Sequence, residues 1–281
     1  MTVRLLLLVT LTLGGFAANS LLTRAALSQG HLDAWTFMVV RMLTGVLMLS
    51  MVVWLRRSGS QSRGSWPMAV WLGGYAVLFT LAYEHLGAGP GALLLFGSVQ
   101  LTMFGAALVN KERLSGLHWS GVALAATGFL VLTVPGTTAP HPLGAAFMMG
   151  AGACWGAYSL AGRRAADPLR VTADNFIRAT GLVLVAALLH SINGTMTITP
   201  RGLGLASLSG AIASGLAYAA WYAVLPHLPS WRAATVQLSV PVLTALAATA
   251  TLGEALTPRL IFAMALVLAG IWLTTRPRAT A

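Results

Sequence analysis

Ten apolar runs of about twenty residues, parted by short breaks rich in Pro, Gly or charge, govern what this chain can become. They occupy 5–23, 34–55, 67–86, 88–109, 117–135, 143–162, 174–190, 204–225, 230–252 and 258–275. Each is near the length that carries a helix across a hydrocarbon core of about 30 Å. An unclosed strand at that depth would leave its backbone groups unpaired, so the runs are expected to be helices. The breaks, such as Arg56 to Pro67 and Pro226 to Pro229, leave no room for a soluble domain. The first run has the parts of a signal peptide, with Arg4 ahead of it and Ala17-Ala18 behind. Its match to a later run, given below, argues that it is retained.

Apolar residues make up 57% of the chain and charged ones 8%. A soluble domain carries about a quarter charged residues, so lipid must cover most of this surface. The formal charge of +11 would point a soluble protein toward nucleic acid. Here the basic residues fall between apolar runs and set orientation instead, so no nucleic-acid partner is expected. With the N-terminus inside, the cytoplasmic segments hold Arg4, Arg56, Arg57, Arg63, Lys111, Arg113, Arg163, Arg164, Arg170, Arg232, Arg276 and Arg278. The other side holds only Arg24, Arg201 and Arg259. That bias predicts a multi-pass protein of the bacterial inner membrane with both termini cytoplasmic. The single Cys154 excludes an intramolecular disulfide and a cysteine metal cluster. No cofactor, bound metal or enzymatic activity is expected.

The chain also repeats itself. At a shift of 139 residues, Phe16 to Leu21 fall on Trp155 to Leu160, Arg24 on Arg163, and Phe79 and Tyr83 on Tyr218 and Tyr222. Arg41 meets Arg178 at a shift of 137, while Glu112 meets Glu254 and Gly128 meets Gly270 at 142. Five runs per half is an odd number, so the halves (1–136 and 137–281) must cross the membrane in opposite senses. Inverted repeats of this kind suit alternating access, with substrate held near the midplane between the halves. The expected fold is therefore an all-α membrane protein, ten transmembrane helices arranged as two inverted five-helix repeats.

The recurring unit is Ser239-Val240-Pro241-Val242, then Leu252-Gly253-Glu254, then Gly270 in the second half. The first half has Ser98-Val99, then Asn110-Lys111-Glu112, then Gly128. Two copies in register with ten runs resemble the drug/metabolite transporter superfamily and, within it, the EamA-type ten-helix exporters. The aromatic stripes look most like those of that family's amino-acid exporters. The resemblance implies secondary export of amino acids, aromatic or other apolar ones favoured, or of similar small metabolites by alternating access. A single chain in the bilayer suffices. Transport of a nucleotide-sugar or drug-like solute, or a scaffold or lipid-binding role without transport, are the alternatives.

Candidate substrate contacts follow from helical spacing. Tyr75, Phe79 and Tyr83 recur at i, i+4 and i+8, as do Ser214, Tyr218 and Tyr222 in the matching run. Phe96, Gln100 and Phe104, Trp155 and Ser159, Asn19 and Ser20, and Gln237 are placed opposite them. Aromatic walls with a few amides and hydroxyls suit a zwitterion with an apolar side chain. Aromatic belts at the membrane interface compete with that reading for Tyr83 and Tyr222. Arg41 and Arg178 lie inside their runs and can snorkel, bond helix-end carbonyls or hold a substrate carboxylate; their symmetric placement favours structural or gating roles. Pro241 removes a backbone donor and can kink the ninth run, while Gly97 takes that hinge role in the first half, where Val99 stands opposite Pro241. No acid lies deep in a run, which argues against an obvious ion-coupling site, although His85 or His227 can carry a proton.

Overall fold

A computed structural model describes residues 3–56, 61–111, 116–134, 136, 139–162, 165–191, 197–228 and 236–274. The described chain is helical, with a lone antiparallel bridge between Leu32 and Ile198. The helices are α1 (Val3–Ser28), α2 (Ala34–Arg56), α3 (Trp66–His85), α4 (Ala88–Val109), α5 (Gly116–Thr133), α6 (Pro142–Gly162), α7 (Pro168–Ser191), α8 (Pro200–Val224), α9 (Ser239–Leu252) and α10 (Pro258–Thr274). Seven of them among the described residues are long and apolar enough to cross a membrane. The other three fall short for different reasons. α6 is 21 residues long but carries five glycines in that length, and α9 and α10 are apolar but only 14 and 17 residues long.

Short polar residues followed by proline set where helices begin. Ser65 accepts from Met68 N at 3.4 Å with Pro67 behind it, Thr199 from Gly202 N at 3.1 Å before Pro200, and Thr257 from Leu260 N at 3.1 Å before Pro258. Asp33 and Asp167 do the same for α2 and α7, accepting from Thr36 N and Arg170 N. The Asp167 cap with Pro168 starts α7 six residues before the expected 174. At the other end of α1, the helix runs on to Ser28, five residues past the expected 23, and stops where Gly30 turns left-handed (φ 64°). Glu112, Arg113, Arg57, Arg163, Arg164, Arg232, Arg276 and Arg278, on which the repeat and the orientation partly rest, lie outside the described residues.

The helices pack in a pattern with its own regularity. α1 lies against α8 and α9, and α6 lies against α3 and α4. α2 packs on α8 as α7 packs on α3. Three further contacts join α2 with α7, α4 with α9, and α5 with α10, helices that the sequence shift sets against each other. The last pair approaches most closely at glycines. A Cβ on Gly121 would sit 2.5 Å from the Gly270 carbonyl oxygen, and one on Gly270 2.5 Å from that of Gly121. Gly128 faces Ala263 in the same way, its Cβ position 2.9 Å from the Ala263 oxygen. Small residues that let backbones touch are the usual currency of helix association in lipid. Gly270→Val is expected to lower stability by about 1–3 kcal/mol through overpacking. Gly105→Ala, where a Cβ meets nothing within 4 Å, is expected to stabilise slightly. Thermal unfolding of the detergent-solubilised protein checks both signs.

Candidate functional site

Where α1, α3, α4, α6 and α8 converge, side chains enclose a small cavity lined by Phe16, Asn19, Ser20, Tyr75, Phe79, Leu95, Phe96, Trp155 and Tyr218. Its volume is about 20 Å³, enough for one water molecule and far short of an amino acid. Rings fill the centre. Trp155 stacks on Tyr218 at 5.1 Å and on Tyr158 at 5.5 Å, and tilts against Tyr75 at 5.1 Å. Phe16 meets Tyr218 edge-on at 5.9 Å, and Phe79 sits 5.2 Å from Tyr75. Phe16 and Trp155, and Phe79 and Tyr218, which the 139-residue shift pairs in sequence, thus meet around one space. Glycines let α6 bring Trp155 in: a Cβ on Gly152 would come within 2.6 Å of the Leu95 oxygen, and one on Gly156 within 2.9 Å of Thr102.

The polar corner of this space rests on Arg41. The residue is 1% exposed, so it does not snorkel. Its Nε donates to Ser214 Oγ at 3.4 Å and its Nη2 to the Tyr75 hydroxyl at 3.3 Å, which also accepts from Asn19 Nδ2 at 3.2 Å. The guanidinium lies 4.9 Å from the Phe79 ring centre and 5.5 Å from that of Tyr75. An arginine at the centre of a membrane helix costs about 2.5–3.5 kcal/mol on insertion scales. Two ring faces at about 1–2 kcal/mol each, with two hydrogen bonds from the guanidinium to neutral hydroxyls, are of the size needed to offset it.

The geometry depends on a feature hidden in the sequence. Ser209–Leu216, in the middle of α8, is π-helical. The wider turn sets Ser209 and Ser214, five residues apart, facing the same side: Ser209 Oγ donates to Asn19 Oδ1 at 2.7 Å, and Ser214 receives Arg41. Gly210 makes this contact possible, because a Cβ there would overlap the Arg41 carbonyl and Thr44 Oγ1. The serines at i and i+5 were the only trace of it.

Other expected site residues lie elsewhere. Tyr83 is fully buried beside Gly91 rather than in an interfacial belt or at the cavity wall, its ring 4.9 Å from Phe79. Tyr222 accepts from Thr172, which accepts in turn from Tyr158, so it braces α6, α7 and α8 away from the cavity. Ser159 spends its hydroxyl on the Trp155 carbonyl of its own helix at 2.7 Å. Gln100 and Gln237 are half-buried and do not line the cavity. Arg178, unlike its mate, is a quarter exposed, paired with Asp174 at 3.1 Å, donating to the Gly64 carbonyl and lying over Trp66. Gly97 faces the Phe129 ring of α5, and Pro241 is buried three residues after a break in helix at Leu238. His85 stacks on His141 at 4.8 Å, and His227 is exposed.

A second constellation closes one end of the bundle. Gly253, left-handed at φ 68°, ends α9 and turns Glu254 toward α4. The carboxylate accepts from the Ala88 N–H at 2.8 and 3.0 Å and from Arg24 Nε at 3.3 Å, while Arg24 Nη1 donates to the Tyr83 carbonyl at 3.0 Å. One acid thereby joins α1, α3 and α4 to the turn between α9 and α10. Sequence reading placed Glu254 at a span end without finding its partner Arg24.

Comparison with known proteins agrees with this architecture. Residues 142–276 match the EamA-like transporter family. An uncharacterized protein of Pseudomonas aeruginosa is 48% identical over 98% of this chain and 96% of its own length. The threonine/homoserine exporter RhtA of Escherichia coli is 32% identical over 73% of this chain and 69% of its own. A probable amino-acid metabolite efflux pump of Salmonella typhimurium is 28% identical over 73% of each. A solved crystal structure shares the fold at a TM-score of 0.68 over 98% of both chains, with 18% identity. By its sequence and its relatives, the chain belongs to the EamA-like transporter family.

Proposed function

We propose that this protein exports amino acids, aromatic or other apolar ones favoured, across the bacterial inner membrane by alternating access. The reading takes all ten helices as spans, in two inverted halves of five (1–136 and 137–281), with both termini in the cytoplasm. One observation carries it: the main helix pairs map onto one another when the halves are exchanged, and residues matched by the sequence shift, Phe16 with Trp155 and Phe79 with Tyr218, line one cavity. A two-fold pairing lets the halves swap conformations and so turn one side's access into the other's. The paired caps, Asp33 with Asp167 and Ser65 with Thr199, support the same symmetry. The basic-residue bias supports the orientation, which puts Glu254 and Arg24 on the outside.

The relatives support the substrate class: one is named for threonine and homoserine export and another for amino-acid metabolites. The aromatic stripe also resembles that of the bacterial amino-acid exporter YddG. At about 20 Å³ the cavity must open before substrate enters, so the described arrangement corresponds to a closed step of the cycle. The test is counterflow in proteoliposomes with labelled threonine, homoserine, phenylalanine and tryptophan, with and without a pH gradient. Exchange of at least one above protein-free vesicles is expected; folded protein that exchanges none of them sinks the assignment.

A further inference from the structure

Arg41 is the only charged side chain that is fully buried among the described residues. The ion pairs there, Arg24 with Glu254 and Arg178 with Asp174, leave it without a carboxylate. Its Nη1 makes no hydrogen bond. The remaining guanidinium contacts are neutral: Ser214, the Tyr75 hydroxyl and two ring faces. Two of those contacts, Tyr75 and Phe79, are themselves cavity walls. A cation held with one edge unused, next to a site made for a ligand, is complementary to an anion and poorly complementary to anything else.

The rest of the lining shows which part of the ligand is recognised by charge. Asn19 and Ser20 are its other polar side chains, and no acid is among the lining residues. The described acids Asp33, Glu84, Asp167, Asp174 and Glu254 are all at least partly exposed and none lines the cavity; Asp174, expected at a span end, lies two turns inside α7, where it pairs with Arg178. An ammonium group entering the cavity therefore meets dipoles and ring faces, whereas a carboxylate has a full positive charge one side chain away, because Arg41 contacts the walls Tyr75 and Phe79 without itself lining the cavity. Resting on the amino-acid reading above, we infer that Arg41 is the receptor for the substrate carboxylate, and that the site selects carboxylic acids without requiring the α-ammonium. The guanidinium's planar fork suits two carboxylate oxygens, one at Nη1 and the other at Nη2 as Tyr75 gives way. The apolar side chain then lies against Phe16, Phe96 and Trp155.

The experiment compares three ligands that share one side chain: phenylalanine, its methyl ester and the matching 2-oxo acid. Each competes against labelled phenylalanine in counterflow, and each is assayed by thermal shift on the detergent-solubilised protein. In the unaltered protein the 2-oxo acid is expected to compete within about tenfold of phenylalanine, and the ester at least roughly tenfold more weakly. Arg41→Gln is expected to abolish the preference for acid over ester. Arg41→Lys, which keeps the charge but loses the fork, is expected to retain the preference at reduced affinity. An ester that competes as well as the acid in the unaltered protein overturns the inference with no variant needed. So does a folded Arg41→Gln protein that keeps the preference. Exchange of phenylalanine with either of those results leaves the exporter assignment standing, whereas absence of exchange and thermal shift for every amino acid and oxo acid overturns both.

Discussion

With the orientation proposed above, Glu254→Ala is expected to raise access to the cavity from the outer face by roughly 30-fold. Its carboxylate binds the first N–H of α4 with both oxygens and holds Arg24, which in turn holds the Tyr83 carbonyl. The placement uses the positive end of the α4 dipole, and Gly87 leaves the room for it, since a Cβ there would come within 2.9 Å of Oε2. Both side chains of the pair are about a fifth exposed, so the interaction escapes most of the screening that weakens surface pairs. Hydrogen bonds to a charged group contribute about 1.5–3 kcal/mol each, and removing the acid also leaves Arg24 unpaired. A net loss of about 2 kcal/mol from the closed arrangement shifts its ratio to the open one by roughly 30-fold. The measurement is the labelling rate of Ser20→Cys by a membrane-impermeant maleimide added outside, in a Cys154→Ser background. An unchanged rate in a folded Glu254→Ala protein would mean that this contact does not close the outer side.

The largest effect on transport is expected at Trp155. Its ring touches Tyr75, Tyr158 and Tyr218, and each such pair contributes about 0.5–1.5 kcal/mol beyond its buried area. Truncation to alanine removes the wall that would meet the substrate's apolar side chain and lets the neighbouring rings collapse into the space. The combined loss is about 3 kcal/mol, or roughly 100-fold in exchange of phenylalanine. Trp155→Phe keeps a ring in the stack and is expected to lose about tenfold or less. Trp119→Ala, at an exposed tryptophan that meets Phe104 away from the cavity, is expected to leave exchange unchanged. Counterflow rates in proteoliposomes rank the three, and near-normal exchange by Trp155→Ala would remove the cavity from the transport path.

How far the sequence could be read follows from which interactions are local. Apolar runs and their polar-proline starts are local, so the helices fell close to their expected places. The stripe of Tyr75 and Phe79 was legible because helical spacing alone puts them on one face, and the repeat pointed to Tyr218, Trp155 and Phe16. Polar residues were harder. Ser159 looks like a ligand in a list of residues, yet its hydroxyl is satisfied within its own helix. Gln100 and Gln237 gave no sign that they would not line the cavity. Arg41 and Arg178 are mates in sequence, but one is buried among aromatics and the other bonds the Gly64 carbonyl beside Asp174, because only Arg178 has an acid one turn away. The π-helical segment in α8 was not readable, since it coincides with a non-local contact, the close approach of α2 at Gly210. The chain is a transporter rather than an enzyme, as its family membership shows.

Arg41 also sets a problem of timing during synthesis. Its two hydrogen-bond partners are not made together: Tyr75 follows it by 34 residues and Ser214 by 173. At about 5–20 residues per second, the ribosome delivers Tyr75 within roughly 2–7 s and Ser214 only after about 9–35 s. For that interval α2 carries a charge whose environment is half built, with α3 as its nearest shelter. The early helices must therefore wait, loosely held at the insertion machinery or drawn toward a headgroup, until α8 arrives. Assembly of this protein is in that sense completed from its far end, and truncations that stop before Ser214 are expected to leave α2 the first segment to slip back out of the bilayer.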